Sequence, residues 1–500
     1  MPEGKLKGPV AAPHCLDHSF APPYDSVTEL GVELMDRADI PFLTVSALGE
    51  LIRSREVSPV EATEAYLDRV ASLNGDIRAY LTVTDDLARQ AAREAEAEIA
   101  GGQYRGPLHG IPVAVKDQIY TEGVRTTGGS PVFDEFVPEY DATVIARLKE
   151  AGAVLLGKLN MTEFATTGLS HQFDPPRNPW NQGRSCGGSS SGSGAAPAAF
   201  MCAAALGEDT GGSVRFPAAW CGLAGLRPTW GLVSRYGVMP GVRSMDTIGP
   251  LARTVEDCAI VLQAIAGHDP NDRMTSQDSV PDYRSALTGE VEGLRVGILI
   301  EVLHADRVES AVNEAIIDAG NLLSERGAVV SEVSIPIAAH AGAISAGIRV
   351  EAPTTYRNLL LERPAELGHD NRIGYMTNAV MPATYYYKGI RLRAHLRARV
   401  LEALEDLDLL LFPTTGVPAQ PLTPDPQFNS KEDVNRTPWM YTTVASLANI
   451  PALAVPCGFS ADGLPLSLQI AGRPFDEATV LRAGHAYEQA TDWHTRRPPV

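Results

Sequence analysis

Apolar side chains recur along this chain with two different periods. Residues 45–53 and 60–73 carry them at helical spacing, and Ser58-Pro59-Val60-Glu61 combines a capping box with proline at the first helical position. Short apolar runs at residues 111–115 and 153–156 instead predict buried strands. Because helical and strand patterns keep alternating along the chain, the sequence predicts an α/β fold with much of its sheet buried.

Three segments stand apart from this alternation. Residues 1–43 are proline-rich and weakly periodic, which predicts an extended N-terminal arm and leaves residues 44–500 as one domain. Residues 178–250 are dense in glycine and serine, as is typical of backbone that must approach another molecule closely. Within them, residues 195–206 predict an alanine-rich helix, whereas the polar residues 181–187 predict no strand.

Composition places the protein among globular chains. Its 500 residues are 44% hydrophobic and 21% charged, which excludes a largely disordered chain. The 42 basic and 61 acidic side chains give a formal net charge of −19. Because proteins that bind phosphate backbones normally show a basic surface, we expect no nucleic-acid partner.

Cysteine usage and apolar runs indicate the compartment. The six cysteines contain no CxxC pair, so we expect neither a zinc framework nor a disulfide scaffold, and reduced thiols point to the cytoplasm. The N-terminal residues lack the apolar core of a signal peptide, and no run of apolar residues is long enough to span a bilayer. We therefore expect a cytoplasmic protein without a membrane partner.

Two glycine-bearing motifs resemble other kinds of site. Residues 152–158 begin like a phosphate-binding loop, but Leu159 stands where a magnesium-binding hydroxyl belongs, and the pattern there predicts a strand. Residues 188–192 fit the Gly-x-Ser-x-Gly of a nucleophile elbow, although no apolar strand precedes them. The second interpretation stays open, because later histidines could complete a triad.

Two turns that combine glycine pairs with serine are more informative. Gly187–Ser190 is followed by Asp209–Ser213, and the alternative for both is a flexible loop without chemistry. Consecutive backbone N–H groups around Ser213, with two glycines that admit a carbonyl group, are what a nucleophile and its oxyanion hole require.

Lys116 is the candidate base for such a serine. An ordinary lysine is neutral in only about one molecule in 2,500 at pH 7. Lys116 ends an apolar strand, where burial with no carboxylate in contact would favour the neutral amine. Asp117 follows directly, but adjacent strand residues point to opposite faces. The alternative is a surface lysine at a strand end.

Three stretches together resemble the amidase signature family: residues 107–117 (PLHGIPVAVKD), 187–190 (GGSS) and 207–217 (GEDTGGSVRFP). The likeness runs from about residue 44 to residue 500. It implies an α/β fold with a large mixed β-sheet core surrounded by helices, in a single catalytic domain that follows the N-terminal arm. It also implies an amide hydrolase that uses no cofactor and no metal.

The resemblance implies a Ser-cisSer-Lys triad. Ser213 would be the nucleophile, Ser189 would follow a cis peptide bond and relay the proton, and Lys116 would be the base. Asp209 and Arg215 would brace the loop rather than react. The oxyanion and substrate would be bound by backbone N–H groups at Thr210, Gly211 and Gly212.

Two features bear on how this site would differ from others of the family. Ser191 departs from the family pattern and adds a hydroxyl beside the proposed proton relay. The walls of the substrate pocket are expected at residues 163–175, 340–390 and 436–445. Their large side chains would favour an apolar or aromatic acyl group: Phe164, Trp439, Met440 and Tyr441.

The first functional hypothesis is a free-standing amidase that acts on a small-molecule amide. It would form an acyl-enzyme and release a carboxylate and ammonia or an amine. One alternative is the glutaminase subunit of a tRNA-dependent amidotransferase. Residues 385–387 resemble the tyrosine-rich helix of that subunit. Another is a non-catalytic binding or scaffold member of the family. We also expect a homodimer in which the N-terminal arm docks on a second subunit.

Overall fold

A mixed sheet of eleven strands runs through the part of the protein that the computed structural model describes, which is residues 36–166, 171–303, 305, 308–422 and 440–500. Its strand order is β1-β3-β2-β6-β8-β7-β12-β13-β11-β9-β10, and β4 and β5 pair separately. The strands are β1 Tyr80–Val83, β2 Pro112–Lys116, β3 Val154–Leu159, β4 Arg177–Asn178, β5 Asn181–Ser185, β6 Ala204–Asp209, β7 Ala224–Arg227, β8 Thr247–Ala252, β9 Arg295–Leu299, β10 Val329–Val333, β11 Leu409–Pro413, β12 Ala452–Phe459 and β13 Pro465–Gly472.

Helices lie between most of these strands, as the alternating pattern predicted, and the expected fold class is confirmed. They are α1 Val45–Ser54, α2 Pro59–Ile77, α3 Asp85–Ala100, α4 Thr143–Glu150, α5 Ser191–Ala198, α6 Arg215–Cys221, α7 Val255–Ile265, α8 Ile300–Leu303, α9 Ser310–Glu325, α10 Ala341–Ile348, α11 Glu351–Thr355, α12 Arg357–Glu362, α13 His369–Ala379, α14 Ala383–Asp406, α15 Met440–Ala448 and α16 Glu477–Gln489.

Three neighbouring strands position the candidate site. Strand β2 is parallel to β6, with Val113 opposite Ala204 and Val115 opposite Leu206. Because parallel strands end at the same edge of a sheet, Lys116 at the end of β2 lies close to the last residues of β6. Strand β8 pairs with β6 from the other side in antiparallel register.

Two sequence expectations around β6 are wrong. The helix predicted over residues 195–206 ends at Ala198, and Ala204–Asp209 is instead a strand. Alanine favours helices, but these small residues fit between β2 and β8, where every residue of β6 is buried, so tertiary packing overrides local propensity. The polar residues 181–187 contain strand β5, which pairs with β4 in a hairpin outside the main sheet.

The N-terminal arm predicted over residues 1–43 lies, up to residue 35, outside the described residues. The described part begins with a 3₁₀ helix, Arg37–Phe42. Ile40 of this helix is buried, and the carbonyl oxygen of Pro41 accepts a hydrogen bond from the Tyr66 hydroxyl at 3.2 Å. The described residues from Asp36 to Val500 belong to one compact unit.

Two hydrophobic clusters support the sheet. The larger cluster fills the space between the sheet and helices such as α2, α5 and α7. The second combines α10, α14 and α15 with strand β11 and includes Phe164 and Tyr441. No helix in the described part of the chain has the length and apolar character that a membrane span needs.

The capping box of α2 forms as the sequence predicted, and it yields a stability prediction. Ser58 Oγ accepts from the Glu61 backbone N–H at 3.0 Å, and Glu61 accepts from the Ser58 N–H at 2.9 Å. We expect Ser58→Ala to lower the free energy of unfolding by about 1 kcal/mol, because an orphan N–H loses its acceptor. Denaturant titration measures this. The control is Ser72→Ala inside the same helix, and an equal loss there would contradict a capping effect.

Candidate active site

Lys116 is fully buried at the end of β2 and contacts a serine. Its Nζ lies 2.7 Å from Ser189 Oγ. Two oxygens of Glu208 complete its surroundings, the backbone carbonyl at 3.3 Å and carboxyl Oε2 at 3.2 Å. The surface-lysine alternative is therefore wrong, and the structure brings together two of the three predicted triad residues.

Ser189 stands in a turn that backbone bonds hold on two sides. The Gly188–Ser189 peptide bond is cis, as the resemblance implied. The Thr162 N–H donates to the Ser189 carbonyl at 3.1 Å. The next residue, Ser190, donates its N–H to the carbonyl of Ser213 at 3.3 Å, so the two serine turns are joined directly.

The loop that carries Ser213 is organised by the Asp209 carboxylate. This carboxylate accepts from the N–H groups of Gly212 at 2.8 Å and Val214 at 3.2 Å. Its charge is balanced by Arg215 at 3.0 Å and Arg227 at 2.9 Å, and all three charged side chains are fully buried. Asp209 and Arg215 thus brace the loop.

Gly212 admits no side chain at its position. A Cβ there would lie 2.1 Å from Thr442 Oγ1, and the residue has a φ of +134°. Thr442 donates its hydroxyl to the Gly211 carbonyl at 2.6 Å, which fixes the adjoining peptide. No group in the described part of the chain accepts from the N–H of Gly211 or Ser213, whereas the Gly212 N–H is engaged by Asp209.

Burial acts differently on the charged groups of the site. It lowers the pKa of Lys116, against the opposing effect of the Glu208 carboxyl, and it raises the pKa of Glu208 to about 7. Burial also disfavours the charge of Asp209, but Arg215 and Arg227 outweigh it and hold the pKa of Asp209 well below its usual range. The site therefore combines one carboxylate held in its charged form with one Lys–Glu pair in which burial disfavours both charges.

Glu208 is the residue that sequence reasoning missed. We expected no carboxylate in contact with Lys116, and that expectation is wrong. The error follows from the helix predicted over residues 195–206, which placed Glu208 after a helix rather than at the end of a strand beside β2. The parallel pairing of β2 and β6 would have revealed it.

The surroundings of Ser191 and of two predicted pocket-wall residues are also defined. The Ser191 hydroxyl lies 2.9 Å from His171 Nε2, at the start of α5. Phe164 is buried and stacks on Tyr356 with ring centroids 4.6 Å apart. Tyr441 is buried in the second hydrophobic cluster, whereas Trp439 lies outside the described residues.

Metal binding was not expected, and this stays a prediction. Among the described residues, no group of three or more His, Cys, Asp or Glu side chains is arranged to hold a metal ion.

Comparison with known proteins agrees with this geometry. A family model described as Amidase matches residues 61–481. The A subunit of the glutamyl-tRNA(Gln) amidotransferase of Roseiflexus sp. (strain RS-1) is 43% identical over 490 residues, which cover 92% of this chain and 98% of that protein.

Two solved structures share the fold at similar identity. One, described as an unexpected vestigial protein complex that reveals the evolutionary origins of an s-triazine catabolic enzyme, has a TM-score of 0.84 at 33% identity and covers 90% of this chain and 98% of that one. The other is the peptide amidase PAM with the competitive inhibitor chymostatin, with a TM-score of 0.78 at 33% identity, covering 91% of this chain and 99% of that one.

The chain belongs to the amidase signature family. It is accordingly an enzyme of the amidase class, a hydrolase of carbon–nitrogen bonds.

The expectation of no nucleic-acid partner is wrong. Relatives 43% and 42% identical to this chain are named as subunits of a glutamyl-tRNA(Gln) amidotransferase. The net charge of −19 misled because it sums the whole chain. Recognition of a nucleic acid depends on a local patch, or on another subunit of an assembly.

The Asp209 cluster yields a stability prediction. We expect Asp209→Ala to lower the free energy of unfolding by about 3–5 kcal/mol, because two buried guanidinium groups lose their partner. Denaturant titration of the purified variant measures the loss. The control is Asp462→Ala, which removes an exposed carboxylate 3.8 Å from Arg184 and should cost less than about 1 kcal/mol. Similar losses in both variants would contradict the assigned role.

Proposed function

We propose that this chain hydrolyses amides through an acyl-enzyme on Ser213, with Ser189 and Lys116 as the proton relay. The observation that supports it most is the buried contact of 2.7 Å between Lys116 Nζ and Ser189 Oγ. The Ser190–Ser213 backbone bond places the Ser213 loop beside this pair. Ser213 itself is partly exposed, as a residue that must meet a substrate has to be.

In the proposed reaction, the Ser213 oxygen bonds to the carbonyl carbon while its proton passes to Ser189 and the Ser189 proton passes to Lys116 Nζ. Collapse of the tetrahedral intermediate breaks the carbon–nitrogen bond, and the proton returns through Ser189 to the leaving nitrogen. Water then hydrolyses the ester along the same relay. The N–H groups of Gly211 and Ser213, with Thr210 beside them, would stabilise the oxyanion. The Gly212 N–H would not, because it is bonded to Asp209.

The proposed substrate is glutamine, and the ammonia released from it would serve a partner subunit that acts on a tRNA. Support comes from the curated relatives, among which two A subunits of the amidotransferase are 43% and 42% identical over 92% of this chain. We place the protein in the cytoplasm, where the five described cysteines, all free and buried, would stay reduced.

A free-standing amidase is the second candidate. The specific observation in its favour is that the peptide amidase structure covers 91% of this chain with a TM-score of 0.78. The same sheet and helices can therefore hold an amidase that is named without subunits, and the choice between the two functions depends on the substrate.

The nucleophile can be tested without knowing the substrate. We expect a fluorophosphonate probe to add once to the purified chain and not to Ser213→Ala, as intact-protein mass spectrometry would show. Ser193→Ala, which changes a neighbouring serine bonded to the Leu206 carbonyl, should keep the adduct. Lys116→Arg should slow labelling by about 10²–10⁴-fold, because arginine cannot act as a neutral base. An adduct retained in Ser213→Ala would remove Ser213 from this role.

Ammonia release distinguishes the two candidate functions. We expect the purified chain to prefer glutamine over propionamide by at least about 100-fold in kcat/KM, because a glutamine site must pair the α-amino and α-carboxylate groups, which propionamide lacks. Ser213→Ala supplies the background for each substrate. Faster turnover of an aryl or peptide amide than of glutamine would favour the free-standing amidase.

A further inference from the structure

The Glu208 carboxyl group connects the base of the proposed reaction to a second carboxyl group. On one side its Oε2 lies 3.2 Å from Lys116 Nζ. On the other side its Oε1 lies 2.7 Å from the Thr210 hydroxyl, and that hydroxyl lies 2.6 Å from Asp246 Oδ1. Glu208 is completely buried.

The number of protons in this chain of contacts is constrained. The Thr210 hydroxyl has one hydrogen and faces two carboxyl oxygens, one from Glu208 and one from Asp246. It can donate to only one of them. The other contact is a hydrogen bond only if that carboxyl group carries a proton and donates it to Thr210.

The surroundings indicate which carboxyl group carries the proton. Both oxygens of Asp246 already accept from backbone N–H groups, Oδ2 from Gly241 at 2.9 Å and Oδ1 from Val242 at 2.8 Å, so this carboxyl group is placed as an acceptor. The Glu208 carboxyl has no backbone donor among the described residues, and burial raises its pKa to about 7. The proton therefore belongs on Glu208 Oε1, from which it is donated to Thr210, while Thr210 donates to Asp246.

We propose that Glu208 is a positioning residue that stays protonated, so that Lys116 remains neutral and able to accept a proton from Ser189. This rests on the proposed function, in which Lys116 is the base. With a neutral Glu208, Nζ can donate to the two Glu208 oxygens and use its lone pair for the Ser189 hydroxyl. Glu208 keeps its own proton throughout, since the proton from Ser213 travels to Nζ and back.

Other charged and titratable groups face Glu208 as well. Asp209 follows it on β6, Arg227 lies on β7, and Tyr356 lies between α11 and α12. Arg227 is bonded to Asp209, and burial raises the pKa of Tyr356 well above its ordinary value. Lys116 is therefore the group whose charge responds to the state of Glu208.

The test is the pH dependence of fluorophosphonate labelling at Ser213, measured by intact mass in the whole chain. Glu208→Gln mimics the protonated acid. The pH at which the labelling rate falls on the acid side of the profile, here called the acid limb, should therefore stay where it is in the wild type. Thr210→Val removes the acceptor of the Glu208 proton, so Glu208 should ionise and hold Lys116 charged. We expect the acid limb of Thr210→Val to move about 1–3 units toward alkaline pH, which is a 10- to 1,000-fold loss of rate below the limb.

The double variant and a matched control complete the experiment. Glu208→Gln combined with Thr210→Val should return the limb to its wild-type position, because no carboxylate then faces Lys116. Thr414→Val, at a buried threonine bonded to the Leu468 carbonyl, should leave the limb unmoved. If Glu208→Gln does not fold, the shift of the acid limb in Thr210→Val is sufficient to test the proposal.

A shift of the Glu208→Gln limb toward acid pH would overturn the proposal, because it would mean that the wild-type Glu208 is ionised. An unmoved limb in Thr210→Val would overturn it too. No labelling of the wild type at any pH would count against the proposed function itself, and so the two failures are distinguishable.

Discussion

The burial of one carboxylate, Asp209, is the constraint on which the candidate site depends. An isolated charge in a protein interior costs several kcal/mol, so the residue is tolerable only with partners on every side. Arg215 forms two bonds to it, at 3.1 and 3.0 Å, and Arg227 approaches at 2.9 Å. The same carboxylate also accepts hydrogen bonds from N–H groups of the loop. These bonds hold the loop in the shape that presents Ser213.

The same arrangement ties distant parts of the chain together. Arg215 also donates to the Thr442 carbonyl and to Ser446 Oγ, both at 2.8 Å, and so joins the Ser213 loop to α15. Thr442 in turn donates to the Gly211 carbonyl. A loop of glycines would otherwise lose much conformational entropy when it orders. These bonds hold the loop in its geometry without a bound substrate.

Much of this organisation could be predicted from sequence, and the failures have a common cause. The cap of α2, the strand that ends at Lys116 and the serine turns depend on local pattern, which a single sequence is enough to show. The strand Ala204–Asp209 is built from residues that favour a helix, and only its neighbours in the sheet decide its structure. The Glu208–Lys116 contact joins residues 92 positions apart and could not be predicted without that strand.

Adjacent residues on β6 therefore have opposite electrostatic roles. Side chains alternate between the two faces of a strand, so Asp209 faces two arginines while Glu208 faces Lys116. Two positive charges keep Asp209 ionised, and its charge is structural. Among the described residues Glu208 is hydrogen-bonded to one basic group, Lys116, and in the proposed arrangement it stays protonated and adds no charge beside that lysine. A buried base that must accept and return a proton needs this second kind of neighbour, because a permanently ionised carboxylate would keep the lysine charged.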